Sequence, residues 1–135
     1  MYSYASIEDL KGKLLSNVEV DGRNSIKFIV DDGTEYLMFH NQDCCEVVSI
    51  DDICGDIQDL IGSEILIAEE VSHDDSPDAV WRLLKEGITD KEYEAESETW
   101  TFYKIDTSKG GVTIRWYGSS NGYYSERVDF MKSCD

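Results

Sequence analysis

Residues 99–130, TWTFYKIDTSKGGVTIRWYGSSNGYYSERVDF, decide the fold of this chain. The stretch contains runs in which apolar and polar residues alternate with a period of two, as they do in half-buried β-strands. Lys109-Gly110-Gly111 separates the first run from the second, and Asn121-Gly122 separates the second from a third. Because Asn-Gly supplies the positive φ angles of a tight hairpin, the stretch predicts three antiparallel strands joined by two tight turns.

The alternation also assigns the side chains of this stretch to two faces. One face carries the apolar residues and is expected to close a core; on the middle and last strands these are Val112, Ile114, Trp116, Tyr124, Val128 and Phe130, interrupted by Glu126. The other face of the same two strands carries arginine, tyrosine and small polar residues, which are Arg115, Tyr117, Tyr123, Ser125 and Arg127.

The second face predicts a ligand-binding platform. Arginine offers forked hydrogen-bond donors for phosphate or carboxylate, and aromatic rings offer flat surfaces for stacking. The candidate ligand-binding residues, two of them aromatic residues of the first strand, are Trp100, Phe102, Arg115, Tyr117, Tyr123 and Arg127. The alternative interpretation is a solvated sheet face with ordinary cross-strand pairs.

The charge of the chain is large and unevenly distributed. Its formal net charge is −17, from 29 acidic and 12 basic residues. Residues 1–98 carry 25 acidic and 7 basic side chains, whereas residues 99–135 carry 4 acidic and 5 basic ones. A field of this sign repels nucleic acid and anionic membranes, so neither is an expected direct partner. The near-neutral part could bind an anionic small molecule. Alternatively, the acidic part could imitate nucleic acid and occupy a basic groove of another protein. The remaining interpretation is that the acidic charge only keeps the protein soluble.

The part of the chain before residue 99 is also expected to be mainly strand. Apolar alternation predicts strands over residues 13–20, 25–30, 35–40, 47–50 and 64–71. Asp-Gly turns separate the first three, which predicts an antiparallel meander.

Helical signals in the chain are few. A capping-box pattern predicts a helical turn at residues 6–10, and apolar spacing predicts a capped helix over residues 51–62. Residues 73–98 are rich in acidic residues and are expected to form a variable excursion, with a short helix over residues 78–85. For residues 1–135 the sequence thus predicts a single α+β domain, mainly antiparallel β-sheet with one or two short helices.

No pattern in the chain favours an enzyme. His40, Asp43, Cys44, Cys45 and Cys54 lack the spacing of a zinc site, so no metal is expected. One of the adjacent cysteines is expected to be buried, and reduced thiols in a cytoplasmic protein are expected, because no secretory signal or membrane span is visible. A cysteine nucleophile with His40 as its base would lack an orienting group, and no glycine-rich phosphate loop is present, so we expect no cofactor and no catalysis.

Several strings of the sequence resemble a family of small bacteriophage proteins of unknown activity. They are DCCE at residues 43–46, DICGDIQDLIG at 52–62, AEE at 68–70, WTFYK at 100–104 and IRWYGSSNGYYS at 114–125. The resemblance covers about residues 10–130 and implies a phage accessory protein in the host-cell cytoplasm. It does not imply an activity for any single residue.

Two functions fit such an accessory protein. One is sequestration of a nucleotide-type signal of host immunity, with Arg115 and Arg127 holding phosphates, Tyr117, Tyr123 and Trp100 or Phe102 stacking on bases, and a homo-oligomer forming the site. The alternative is an acidic inhibitor of a host defence complex, such as an anti-CRISPR or nucleic-acid mimic, that acts by protein–protein contact. A virion or housekeeping part without a ligand is the plainer third hypothesis.

Overall fold

Two antiparallel sheets make up the computed structural model, which describes residues 2–42, 44–74, 97–120 and 125–133. The five-stranded sheet contains, in spatial order, β1 (Tyr2–Tyr4), β9 (Asp129–Ser133), β4 (Glu35–Phe39), β3 (Ser25–Val30) and β2 (Leu15–Asp21). The four-stranded sheet contains, in spatial order, β5 (Val47–Cys54), β8 (Gly110–Ser120), β7 (Ser97–Thr107) and β6 (Ile65–Asp74). The prediction of a mainly antiparallel β fold is therefore confirmed.

Helical structure is smaller than predicted. Within the described ranges it consists of two single 3₁₀ turns, Ile7–Leu10 and Ile57–Leu60, and no α-helix. The first turn begins with the predicted capping box, in which Asp9 and Ser6 bond each other's backbone. The excursion expected at residues 73–98, with its short helix at 78–85, lies outside the described residues except at its two ends.

The predicted meander is confirmed as β2, β3 and β4. Its inward residues Ile26, Phe28 and Val30 are buried, and they alternate with half-buried residues along β3. Short turns link these strands, so the three pair in chain order.

The β7–β8 hairpin supplies the other half of the core. It pairs over its whole length, from Ser97 opposite Ser120 to Thr107 opposite Gly110. Its inward residues are buried, and they include Tyr103, Ile105, Val112, Ile114 and Trp116. The indole of Trp116 donates to the sulfur of Met38 on β4 at 3.2 Å, which joins the two sheets in one core.

The prediction that the last strand pairs with β8 in a second hairpin is wrong. β9 pairs with β4 and β1, not with β8. Phe130 explains the exchange, because its ring stacks on Tyr36 at 5.4 Å and lies 6.1 Å from Phe28, both in the five-stranded sheet. The turn predicted at Asn121-Gly122 lies outside the described residues.

The helix predicted over residues 51–62 is also wrong. β5 runs through Cys54, and Gly55, with φ of +108°, ends it. A β-bulge between Ile50 and Asp52 shifts the alternation by one residue, so Ile50 and Ile53 both face the core. This three-residue spacing imitates a helix, which is why the sequence pattern was misleading.

Candidate binding face

Four predicted site residues meet on the face of the four-stranded sheet that points away from the core, called here the outer face. They form the aromatic cluster, which is Trp100, Phe102, Arg115 and Tyr117. Trp100 lies opposite Tyr117 across β7 and β8, and Phe102 lies opposite Arg115. All four are half-buried, and Val71 of β6, opposite Phe102 and 50% exposed, extends the apolar surface to the next strand.

The rings and the guanidinium of this cluster contact one another. The ring centroids of Trp100 and Tyr117 are 4.6 Å apart, with an interplanar angle of 54°. The guanidinium carbon of Arg115 lies 5.5 Å from the Trp100 centroid, within the range of a cation–π contact. The three side chains therefore hold each other in place and present a surface that is already formed without a ligand.

Two carboxylates complete the cluster, and sequence reasoning identified neither as part of it. Arg115 donates to Oδ2 of Asp51 from Nε at 2.7 Å and from a terminal nitrogen at 2.5 Å. The Tyr117 hydroxyl donates to Oε2 of Glu98 at 2.5 Å. Asp51 lies in the β5 bulge, so its position depends on an irregularity that the residue pattern does not reveal. Arg115 is consequently matched by a negative charge.

Arg127, another predicted site residue, does not join this group. Arg127 lies in the segment that crosses to β9, on no strand of the four-stranded sheet, and its Nε is 3.8 Å from an oxygen of Asp129. The expectation that Arg127 shares a strand face with Arg115 is therefore wrong. Tyr123 lies outside the described residues.

A second polar cluster lies in the loop between β4 and β5. The side chains of His40 and Glu46 are 4% and 0% exposed, and their Nε2 and Oε2 atoms are 2.6 Å apart. His40 Nδ1 contacts the carbonyl oxygen of Arg127 at 2.7 Å. Since a carbonyl oxygen only accepts, His40 donates from Nδ1 to Arg127 and presents Nε2 to the Glu46 carboxyl group.

The adjacent cysteines of this loop are bonded to each other. Cys44 and Cys45 form a disulfide, and both residues are exposed, so the expectations of reduced thiols and of one buried cysteine are wrong. In the portion of the chain that the structure covers, no three His, Cys, Asp or Glu residues are grouped so that they could hold a metal ion.

Cys54, the last residue of β5, is a third exposed cysteine. Its thiol donates to Oδ2 of Asp52 at 3.4 Å, and this bond, followed by the charge of Asp52, raises the pKa of Cys54. A raised thiol pKa lowers the fraction of reactive thiolate, which argues against a nucleophilic role for Cys54.

Fold and face together define an acidic two-sheet β-protein with an aromatic surface rimmed by carboxylates. The chain belongs to the family described as a domain of unknown function, DUF7448, which matches residues 8–130. No curated protein and no solved structure matches the chain. Across the described ranges, no helix has the length and apolar character needed to cross a membrane.

Proposed function

We propose that this protein is a non-catalytic binding protein that docks a basic protein partner on the aromatic cluster. The observation that carries the proposal is the state of Arg115, which is paired with Asp51 and lies over Trp100. With the charge of Arg115 matched by Asp51, and with Glu98 bonded to Tyr117, the cluster is an aromatic surface without excess positive charge on an acidic molecule. Such a surface suits a protein with an apolar centre and a basic rim better than it suits a free anion.

The composition of the cluster supports a protein partner. Tryptophan, tyrosine and arginine are the residues most enriched among those that dominate binding energy at protein interfaces. The formal charge of −17 would speed the approach of a basic partner and disfavour acidic ones. Val71 and Phe102 give the surface an apolar extension that a docked side chain can cover.

The biological setting forms part of the same proposal. The sequence resemblance to bacteriophage proteins supports a phage accessory protein that acts in the host-cell cytoplasm against a component of a defence complex. Family membership in DUF7448 is compatible with this setting, and the family description carries no activity.

A nucleotide-like anion is the second candidate ligand. The pair of Trp100 and Tyr117 offers stacking surfaces, and the Arg115 side chain is 40% exposed, so its fork is accessible to a phosphate. An exposed ion pair contributes little stability, so a phosphate could displace Asp51 at small cost. Sequestration in a homo-oligomer would then bring further basic groups to the site.

Titration with two probes separates these proposals. An arginine-rich peptide stands for the basic partner, and a cyclic dinucleotide stands for the anion. Trp100→Ala leaves the net charge unchanged, so it removes the aromatic contact without altering long-range attraction. Val20→Ala on β2, which truncates a 41% exposed apolar residue of the other sheet, is the matched control.

We expect Trp100→Ala to weaken peptide binding about tenfold or more, as truncation of a dominant interface residue does, and Val20→Ala to leave it unchanged. Equal peptide affinity of wild type and Trp100→Ala would contradict the proposal, because it would show attraction by net charge alone. Tight binding of the dinucleotide, lost in Arg115→Ala, would establish the second candidate instead.

A further inference from the structure

We infer that Cys44 and Cys45 form a reversible modification site that exchanges disulfide bonds with small thiols of the glutathione class. The pair lies in the loop between β4 and β5, so its chemistry does not depend on the aromatic cluster or on the function proposed for that cluster. Both residues are exposed, so a small disulfide or thiol can reach either sulfur. The two cysteines are bonded to each other, so a single loop holds both thiols needed to form and break the disulfide.

The loop around the pair is held by side chains that bond its backbone. The N–H of Cys44 donates to Oε1 of Glu46 at 2.9 Å. The amide of Gln42 donates to the carbonyl of Cys44 at 3.2 Å and to the carbonyl of Glu46 at 2.6 Å. Both sides of the Cys44 backbone are therefore anchored, which keeps the two sulfurs in reach of each other in the reduced form.

Buried contacts connect this loop to the start of β9. Glu46 uses one oxygen for Cys44 and the other for His40, and His40 contacts the Arg127 carbonyl. Because the Glu46 and His40 side chains are almost fully buried, a movement of the Cys44 backbone must be accommodated along this chain of contacts. We therefore expect the backbone environment of Arg127, where the chain crosses between the sheets, to change with the oxidation state of the pair.

Oxidised glutathione converts the reduced pair to the disulfide in two thiol–disulfide exchange steps. A thiolate of the pair attacks oxidised glutathione, forms a mixed disulfide and releases one glutathione thiolate. The neighbouring cysteine thiolate then attacks the protein sulfur of that mixed disulfide, closes the Cys44–Cys45 bond and releases the second glutathione thiolate. The protein loses two electrons and two protons, the electrons reduce the glutathione disulfide, and the protons pass to solvent or to the released thiolates.

Cys54 serves as an internal control, because it shows how an exposed cysteine without an adjacent cysteine reacts. It is exposed as well, but its hydrogen bond to Asp52 raises its pKa, and its neighbour along β5 is not a cysteine. Exposure alone would give Cys54 and the pair the same behaviour toward oxidised glutathione. A paired site predicts an internal disulfide at residues 44 and 45 only.

The test begins with fully reduced full-length protein, incubated with oxidised glutathione, then alkylated and mapped by mass spectrometry. We expect the peptide with Cys44 and Cys45 to become two hydrogen atoms lighter, to resist alkylation and to carry no glutathione. The Cys45→Ser variant should instead stop at a glutathione adduct on Cys44. A wild-type pair that stays alkylatable, or that keeps a stable adduct, would overturn the site.

Coupling to β9 is tested on the wild-type protein alone, so folding of a variant is not an issue. Amide NMR shifts of the disulfide and dithiol forms should differ at Arg127 and Val128, and those of Asn17 on β2 should agree. Shifts confined to residues 44–46 would overturn the proposed connection through Glu46 and His40.

Discussion

Tyr103 carries a buried hydroxyl in the middle of the core. Its side chain is fully buried, and the oxygen makes no hydrogen bond to the described part of the chain. Burial raises the pKa of Tyr103 well above its ordinary value of 10.0, and the nearby Glu70 carboxylate raises it further. In the unfolded chain the hydroxyl loses its proton above about pH 10, whereas the folded protein retains it, so stability must fall as the pH rises beyond that value.

Replacement of Tyr103 by phenylalanine tests this environment. At neutral pH we expect Tyr103→Phe to be more stable by about 1 kcal/mol, because an unsatisfied buried hydroxyl is removed. Above pH 10 the variant should lose stability less steeply than wild type, as urea unfolding at several pH values would show. A loss of stability at neutral pH would mean that the hydroxyl is bonded, with Glu70 as its nearest partner.

The residues of the aromatic cluster could be selected from the sequence, but their partners could not. A period of two correctly directs Arg115 and Tyr117 away from Val112, Ile114 and Trp116, because adjacent strand residues face opposite sides. Asp51 is 64 residues from Arg115 along the chain, and only the bulge in β5 brings it there. The sequence therefore predicts the donors of the face but not the carboxylate that matches the charge of Arg115.

At the scale of elements, the crossing from β8 to β9 depends on Glu126. This carboxylate is 8% exposed and accepts from Thr99 Oγ1 at 2.7 Å and from Ser120 Oγ at 2.5 Å. A methyl group on Gly118 would lie 2.9 Å from Glu126 Cβ and 3.0 Å from its carbonyl oxygen, so the crossing segment packs directly on β8. Glu126 thus fixes the departure of the chain from the four-stranded sheet.

Removal of the Glu126 carboxylate should loosen this crossing. We expect Glu126→Ala to lower the free energy of unfolding by about 1–3 kcal/mol, because two hydroxyls lose their acceptor in a buried place. Glu126→Gln keeps one acceptor oxygen and is the matched control, with a smaller expected loss. Equal urea stability of wild type and Glu126→Ala would show that the crossing is held by other contacts.

Strands with an unbroken apolar–polar alternation could be predicted from the sequence. Strands whose position depends on a bulge or on a distant packing contact could not. The meander and the β7–β8 hairpin follow from period-two patterns and glycine turns. β9 shows the limit, because the sequence gives its apolar face but not which sheet that face covers. Phe130 settles the choice by packing on Tyr36 and Phe28, contacts between residues about a hundred positions apart.

At the scale of the whole molecule, charge opposes folding. With a formal charge of −17 on 135 residues, mutual repulsion among carboxylates destabilises the compact state, and salt screens it. We expect the midpoint of thermal unfolding to rise when the ionic strength increases from about 0.01 M to about 0.15 M. A midpoint that falls with salt would mean that ion pairs such as Lys27–Glu35 outweigh the repulsion.

The outer face of the four-stranded sheet is the binding surface that we propose for this protein. Amide NMR shifts recorded during titration with the arginine-rich peptide test it most directly. We expect a continuous set of perturbed residues on β7 and β8, centred on Trp100, Arg115 and Tyr117, with small changes on β2 and β3. Perturbations scattered over the acidic surface, or centred on the five-stranded sheet, would contradict it.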